Sequence, residues 1–346
     1  MQGPDWDDLY LTRVLPRLGV ARGGHERPRW IFVCGQPGCG KSTLIGQLLA
    51  ELDPQATQVL SSDAICDLLP ELYADPEDPA TQPLRDAYVA GIQQGYLDRL
   101  TERALDLRAH VLCERPQPAD TAELAVLARA LDYQVECLVL VLPPEESWLA
   151  TLLRETGRLD QPGPVPRRIA WADQIVNTHR WPGFLAQAEA EVAFDRLALI
   201  RRDGEELFVN HAIGQGAGRA WANPPFAMES LVVERLAPRS ESDVAALVAQ
   251  WTALRAHPGI AFRNFAPWPH ASFLALGEAL QALAADPGTG FDLNAPGQGP
   301  VAAAAWLRRL AASLDAACAS PDATPACAPR AEQLLALVRQ LVEVQG

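Results

Sequence analysis

The chain of 346 residues is short of positive charge and has no long apolar run. With 29 Lys and Arg against 43 Asp and Glu, its net charge of −14 disfavours a general affinity for nucleic acid or anionic lipid. No apolar run reaches membrane-spanning length, and "MQGPDWDDLY" opens with acids where a signal peptide would carry basic and then apolar residues. We therefore expect a cytoplasmic protein with no nucleic-acid or membrane partner, whose anionic ligands meet a local basic pocket.

The cysteines are few and unpaired in sequence. There are seven, an odd number, and no two form a CxxC motif. We therefore expect free buried thiols, and we expect neither a disulfide framework nor a cysteine-based metal site.

A phosphate-binding loop is the clearest motif in the sequence. "GQPGCGKS" fits the Walker A pattern, with an apolar run before it and the helix-forming "STLIGQLLAEL" overlapping its end. Backbone amides at the helix start would hold the β-phosphate, Lys41 would neutralise the β and γ oxygens, and Ser42 would ligate Mg²⁺ through its hydroxyl. A structural glycine turn is the alternative. The motif predicts binding of ATP or GTP by Gly35, Gln36, Pro37, Gly38, Cys39, Gly40, Lys41, Ser42 and Thr43, with Cys39 contributing backbone only.

The order of apolar runs indicates the fold class. Runs at 30–34, 57–61, 110–113, 135–142 and 196–200 alternate with helical patterns, after a short amphipathic helix at 5–18. This predicts an α/β fold, a P-loop NTPase-type parallel sheet with helices on both faces. Asp203-Gly204 predicts a closing hairpin, after which the α/β pattern is expected to stop.

Beyond the hairpin the composition changes to alanine and leucine at helical spacing, as in "SESDVAALVAQWTALRAH". Linkers rich in glycine and proline separate such stretches. We predict two units, an α/β domain at 1–212 and an α-helical C-terminal domain at 213–346.

Two carboxylates follow predicted strands, at the edge of the sheet where ligands bind in open α/β folds. Asp63 would be either a base for an acceptor hydroxyl or the N-cap of the helix after it. Glu114 would hold Mg²⁺ through water, position a substrate hydroxyl, or be a solvated strand-end residue. The residues alone leave these alternatives open.

Four arginines follow the fourth predicted strand. They lie in a helix-loop-helix segment that could close over a nucleotide and donate to a transferring phosphoryl group. Some of them are expected to be ordinary surface charges. They are Arg154, Arg158, Arg167 and Arg168.

Together, these motifs resemble the zeta toxin family, P-loop kinases of bacterial toxin-antitoxin systems, over about residues 5–210. The resemblance rests on "GQPGCGKS", on Asp63 with Pro70 following it, on Arg154 and Arg167 in the helix and the loop after it, and on the hairpin "RRDGEELF". The usual histidine before the proline is Leu69 here. The resemblance does not reach the C-terminal part.

The resemblance implies a phosphotransferase that moves the γ-phosphate of ATP or GTP to a hydroxyl of a small nucleotide derivative, above all UDP-N-acetylglucosamine. It implies that Asp63 is the catalytic base and that Arg154 and Arg167 contact phosphate. Glu114, Arg158 and Arg168 would bind substrate, with the last two as alternates for the phosphate contacts. An antitoxin or immunity protein is the implied partner.

One departure affects the acceptor. Where the family commonly has Glu-Gly-Thr, this sequence has Glu114-Arg115-Pro116. Arginine adds bulk and charge, and proline removes an amide donor, so the acceptor pocket is expected to differ. Two alternatives therefore stay open. The protein could phosphorylate NAD or an antibiotic hydroxyl, or it could be a non-catalytic nucleotide-dependent binding module.

Overall fold

The computed structural model describes residues 6–69, 82–116, 118, 120–159, 171–236 and 241–256. The chain opens with α1 (Trp6–Leu9), a π-helical turn (Tyr10–Val14) and α2 (Leu15–Leu18), which agree with the helix predicted at 5–18. A strand-helix alternation follows. In chain order its elements are β1 (Arg29–Cys34), α3 (Lys41–Glu51), β2 (Thr57–Leu60), α4 (Ser62–Leu68), α5 (Gln82–Leu107), β3 (His110–Arg115), α6 (Thr121–Ala130), β4 (Gln134–Val141), α7 (Pro144–Leu159), α8 (Trp171–Ala190) and β5 (Arg196–Arg201).

The sheet has seven strands in the order β2-β3-β1-β4-β5-β6-β7, completed by β6 (Glu206–Ile213) and β7 (Ala220–Trp221). β1 to β5 pair in parallel, and β6 and β7 are antiparallel. The five predicted strands and the hairpin at Asp203-Gly204 are confirmed, with Gly204 at φ +95°. The expected end of the α/β pattern was wrong, because β7 adds a short edge strand beyond the hairpin.

Apolar side chains fill both faces of the sheet. Trp30 and Phe32 of β1 point to one face, where α5 and α8 contribute buried residues, and Ile31 and Val33 point to the other, which α3 covers. Burial on both faces explains why these strands read as nearly continuous apolar runs. Five cysteines in the described residues are buried and belong to no disulfide, as expected.

Two further helices follow the sheet, α9 (Ala227–Leu236) and α10 (Glu241–Ala256). α10 matches the predicted helix, whereas α9 was not predicted. Ala227 and Leu231 of α9 are fully buried in the larger apolar cluster. The other predicted C-terminal helices lie outside the described residues, and the division into 1–212 and 213–346 stays a prediction.

No helix in the described part of the chain is both long and apolar enough to cross a membrane.

Candidate active site

The carboxyl ends of the parallel strands bring polar groups to one edge of the sheet. The loop beginning at Gly35 follows β1, Ser61 follows β2, and Glu114 lies near the end of β3. Leu142 follows β4, and Arg201 ends β5. In open α/β sheets this edge forms the ligand crevice, so the loop and the predicted carboxylates share the expected location.

The phosphate-binding loop turns between β1 and α3. Gly40 takes φ +104° at the start of α3, a conformation that side chains rarely adopt. Cys39 is buried in the apolar cluster under α3, and burial raises the pKa of its thiol. Its side chain is therefore a packing group, in agreement with a contribution to ligand binding through backbone only.

Lys41 is the only lysine in the sequence. Its Nζ donates to the carbonyl oxygens of Gly35 at 3.0 Å and Gln36 at 3.2 Å. The Oε1 of Glu114 lies 3.8 Å from the same Nζ, and the lysine side chain is only 6% exposed. The ammonium is thus held inside the loop by two carbonyls and one carboxylate.

Glu114 is held as firmly as the lysine. Its side chain is 10% exposed, and its Oε2 accepts a hydrogen bond of 2.5 Å from the Ser61 hydroxyl. The alternative of a solvated strand-end glutamate is therefore wrong. Glu114 links the phosphate-binding loop to the residue that precedes α4.

Asp63 lies in the first turn of α4, but it is not the cap of that helix. Ser61 is the N-cap, and its hydroxyl accepts the amide hydrogen of Ala64. The Asp63 carboxylate is half-exposed and lies 3.8 Å from Nη1 of Arg154 on α7. The capping alternative is wrong, and the structure brings two predicted catalytic residues together.

An exposed ion pair of this kind contributes little to stability, because water screens both charges. The proximity of Asp63 to Arg154 therefore contributes little to folding. It places a carboxylate and a guanidinium beside each other on α4 and α7, the two helices that follow β2 and β4.

The helix that carries Arg154 is bonded directly to the phosphate-binding loop. The buried Ser147 hydroxyl donates to the Pro37 carbonyl at 2.5 Å, and Thr151 donates to the Ser147 carbonyl at 2.9 Å. A Cβ on Gly38 would lie 2.3 Å from that Ser147 carbonyl oxygen, so only glycine fits there. Sequence reasoning missed Ser147. The sequence signal that could have indicated it is the pair of small hydroxyl residues Ser147 and Thr151, which are one helical turn apart.

Arg115, one of two residues that depart from the pattern of the resembled family, turns toward the start of α6. Its Nε donates to the Thr121 hydroxyl at 3.3 Å, while its carbonyl accepts from the Gly35 amide at 3.2 Å. The arginine therefore adds a cation beside the sheet edge, next to Glu114.

A second residue that the sequence did not indicate comes from α9. Nη2 of Arg235 donates to Oε1 of Gln36 in the phosphate-binding loop at 3.0 Å. The preceding residue, Glu234, forms a two-bond ion pair with Arg201 at the end of β5. α9 thus contacts the same edge of the sheet.

The remaining predicted residues divide into two groups. Ser42 and Thr43 lie in the exposed first turn of α3. Arg167 and Arg168 lie outside the described residues, as does the side chain of Arg158. Within the described ranges, no cluster of three or more His, Cys, Asp or Glu side chains could hold a metal ion.

Comparison with known proteins gives one family match. Residues 20–213, more than half of the chain, match the model of the family described as Zeta toxin. No curated protein matches the chain.

Among solved structures, the chain is 20% identical to one from the PezAT chromosomal toxin-antitoxin system of Streptococcus pneumoniae, with a TM-score of 0.47, covering 60% of this chain and 81% of that one. A native AvrRxo1-ORF1:ORF2 complex is 16% identical, with a TM-score of 0.39 and 78% of each chain covered. The same complex with ATP is 17% identical, with a TM-score of 0.39, covering 65% of this chain and 71% of that one. The family match is the comparison that bears on function.

Proposed function

The chain belongs to the Zeta toxin family, and from this premise we propose that it is a kinase. Membership supports a nucleotide-binding protein of the kinase type. The finer proposal is that the γ-phosphate of ATP or GTP goes to a hydroxyl of a small nucleotide derivative, with UDP-N-acetylglucosamine as the first acceptor to test. The observation that carries it is Lys41 in a Walker A loop whose carbonyls and Glu114 fix its ammonium.

In the proposed reaction, Lys41 offsets the negative charge of the β and γ oxygens. Asp63 accepts the proton of the acceptor hydroxyl as its oxygen bonds to the γ-phosphorus, and the bond between that phosphorus and the β,γ-bridging oxygen breaks to release the nucleoside diphosphate. Arg154, beside Asp63, donates to the transferring phosphoryl group, and Arg167 is proposed to do the same.

The residues present fit Mg²⁺. Ser42 is exposed in the first turn of α3, directly after Lys41, so its hydroxyl is accessible to a bound ion, and the Glu114 carboxylate, 3.8 Å from the Lys41 ammonium, would act through water. When bound, Mg²⁺ would neutralise charge on the β and γ oxygens. Ser42 would hold it through its hydroxyl.

Arg115 favours an acceptor that is itself anionic. A guanidinium beside Glu114 suits an acceptor that carries an anionic group, which UDP-N-acetylglucosamine and NAD both do. Glu114, Arg158 and Arg168 are the proposed contacts to substrate. An antitoxin or immunity protein remains the proposed macromolecular partner.

Nucleotide binding can be tested directly because the chain has a single lysine. An amine-reactive acylating reagent followed by peptide mass spectrometry reports Lys41 separately from the N-terminal amine. We expect ATP or GTP with Mg²⁺ to slow acylation of Lys41 and to leave the N-terminal amine unaffected. Equal rates with and without millimolar nucleotide would contradict the proposal.

The chemical step is tested by Asp63→Asn. We expect turnover with the identified acceptor to fall by about 10²- to 10⁴-fold, because asparagine cannot accept the proton, while nucleotide affinity stays unchanged. Asp67→Asn is the matched control, since it removes the same charge from an exposed position on the same helix. The acceptor is found by mass spectrometry of a metabolite extract incubated with ATP and enzyme. Nucleotide binding with no phosphorylated compound would favour the binding module.

A further inference from the structure

α9 lies beyond the segment that matches the family, yet its last turn reaches the phosphate-binding loop. Arg235 Nη2 donates to Gln36 Oε1 at 3.0 Å, and Gln36 Nε2 donates to the Leu142 carbonyl at 3.0 Å. Gln36 is 1% exposed. Its buried amide is therefore fixed from two sides, by the residue after β4 and by the guanidinium of α9.

The same residue also positions the loop lysine. The main-chain carbonyl of Gln36 accepts a hydrogen bond from Lys41 Nζ at 3.2 Å. A continuous set of contacts thus runs from Arg235 through the side chain and backbone of Gln36 to the Lys41 ammonium.

We propose that Arg235 is a positioning residue for nucleotide binding, which acts by holding Gln36 and, through it, Lys41. The proposal rests on the nucleotide binding proposed above. Under this proposal α9 contributes to nucleotide binding, although the segment that matches the family ends at residue 213.

α9 is anchored firmly enough to serve this purpose. At its C-terminal end, Glu234 accepts two hydrogen bonds of 2.7 Å from Arg201 of β5. At its N-terminal end, the Ala227 amide donates to the buried Glu189 carboxyl of α8 at 2.7 Å. Leu231, between the two ends, is fully buried. With one end of α9 fixed to β5 and the other to α8, the guanidinium of Arg235 has a defined position.

Loss of the guanidinium has a predictable consequence. A buried acceptor deprived of a charged donor costs more than an ordinary hydrogen bond contributes, so the Gln36 side chain is expected to change conformation. The main-chain carbonyl of Gln36 would shift with it and would no longer hold Lys41 in place. We expect nucleotide affinity to fall by about tenfold or more.

The test uses the full chain with Arg235→Gln, Gln36→Ala and the double variant. Arg17→Gln is the matched control, because Arg17 is also an arginine in the last turn of a helix and is exposed. ATP affinity is measured by calorimetry, Lys41 acylation by peptide mass spectrometry, and the unfolding temperature by fluorescence.

We expect Arg235→Gln and Gln36→Ala each to weaken ATP binding and to speed Lys41 acylation several-fold. The double variant should bind ATP as well as whichever single variant has the lower ATP affinity. Arg17→Gln should match the wild type in both measurements. If Arg235→Gln does not fold, Gln36→Ala carries the test, because it breaks the same contact from the other side.

The failures are distinguishable. A wild-type chain that binds no nucleotide would refute the proposed function. A wild-type chain that binds ATP, with Arg235→Gln binding equally well, would refute only the role of Arg235. Losses that add fully in the double variant would show that Arg235 acts without Gln36, which also overturns the proposal.

Discussion

The buried carboxyl of Glu189 makes the stability of this protein depend on pH. Glu189 caps the N-terminal end of α9 from α8 and is 6% exposed. Burial raises its pKa to about 7; the Ala227 amide opposes this rise and the nearby Glu229 carboxylate adds to it. An ordinary glutamate has a pKa of 4.5. The folded protein therefore binds this proton more tightly than the unfolded chain does.

The sign follows from linkage. Stability from the protonated carboxyl is fully present below the unfolded pKa and is lost as the pH rises through the folded pKa of about 7. The full shift corresponds to about 3 kcal/mol, at roughly 1.4 kcal/mol per pKa unit. Between about pH 5.5 and 8.5, the free energy of unfolding should fall by about 2 kcal/mol through this group alone. Lower pH is avoided in the measurement because the pI of the chain is near 4.9.

The assay is urea unfolding followed by tryptophan fluorescence at several pH values, for the wild type and Glu189→Gln. Glutamine keeps the size and an acceptor oxygen but does not titrate, so the wild type should lose about 2 kcal/mol relative to it across the range. Glu191→Gln, at an exposed position nearby, controls for the change in net charge. A difference between wild type and Glu189→Gln that stays constant with pH would refute the reasoning.

Three further predictions concern the phosphate-binding loop and the chain beyond it. Gly38→Ala should abolish nucleotide protection of Lys41, because its Cβ would lie 2.3 Å from a backbone oxygen at a position with φ +80°. Gly46→Ala is the control, because Gly46 lies in α3 with open space around it. This substitution should raise the unfolding free energy by about 0.5–1 kcal/mol. Ser147→Ala should cost about 0.5–1.5 kcal/mol in urea unfolding, because it removes the buried hydroxyl that donates to the Pro37 carbonyl. A chain ended at residue 212 should unfold at a lower temperature and aggregate more than one ended at 256, because it exposes the apolar surface that α9 covers; equal unfolding temperatures would contradict this.

Some residues of the site could be predicted because their signals are local. Glycines and Lys41 at Walker A spacing, with an apolar run before and a helix after, specify one turn of backbone at one strand end. Asp63 was predicted by its place after β2, although the sequence "SSD" offers three residues that can cap a helix. Only the fold shows that Ser61 takes the cap and leaves Asp63 facing Arg154.

By itself, the sequence determined the parallel strands, the hairpin and the loop that holds Lys41, because hydrophobic periodicity and turn residues act over a few positions. The tertiary structure decided which distant residues share that loop. Gln36 and Arg235 are 199 positions apart, and Ser147 and Pro37 are 110 apart. Neither pair leaves a pattern in the sequence, because each contact depends on how a helix packs against the ends of the strands. Side-chain periodicity determines which face of a helix is buried, but it does not determine which distant residues lie opposite the helix's polar side chains.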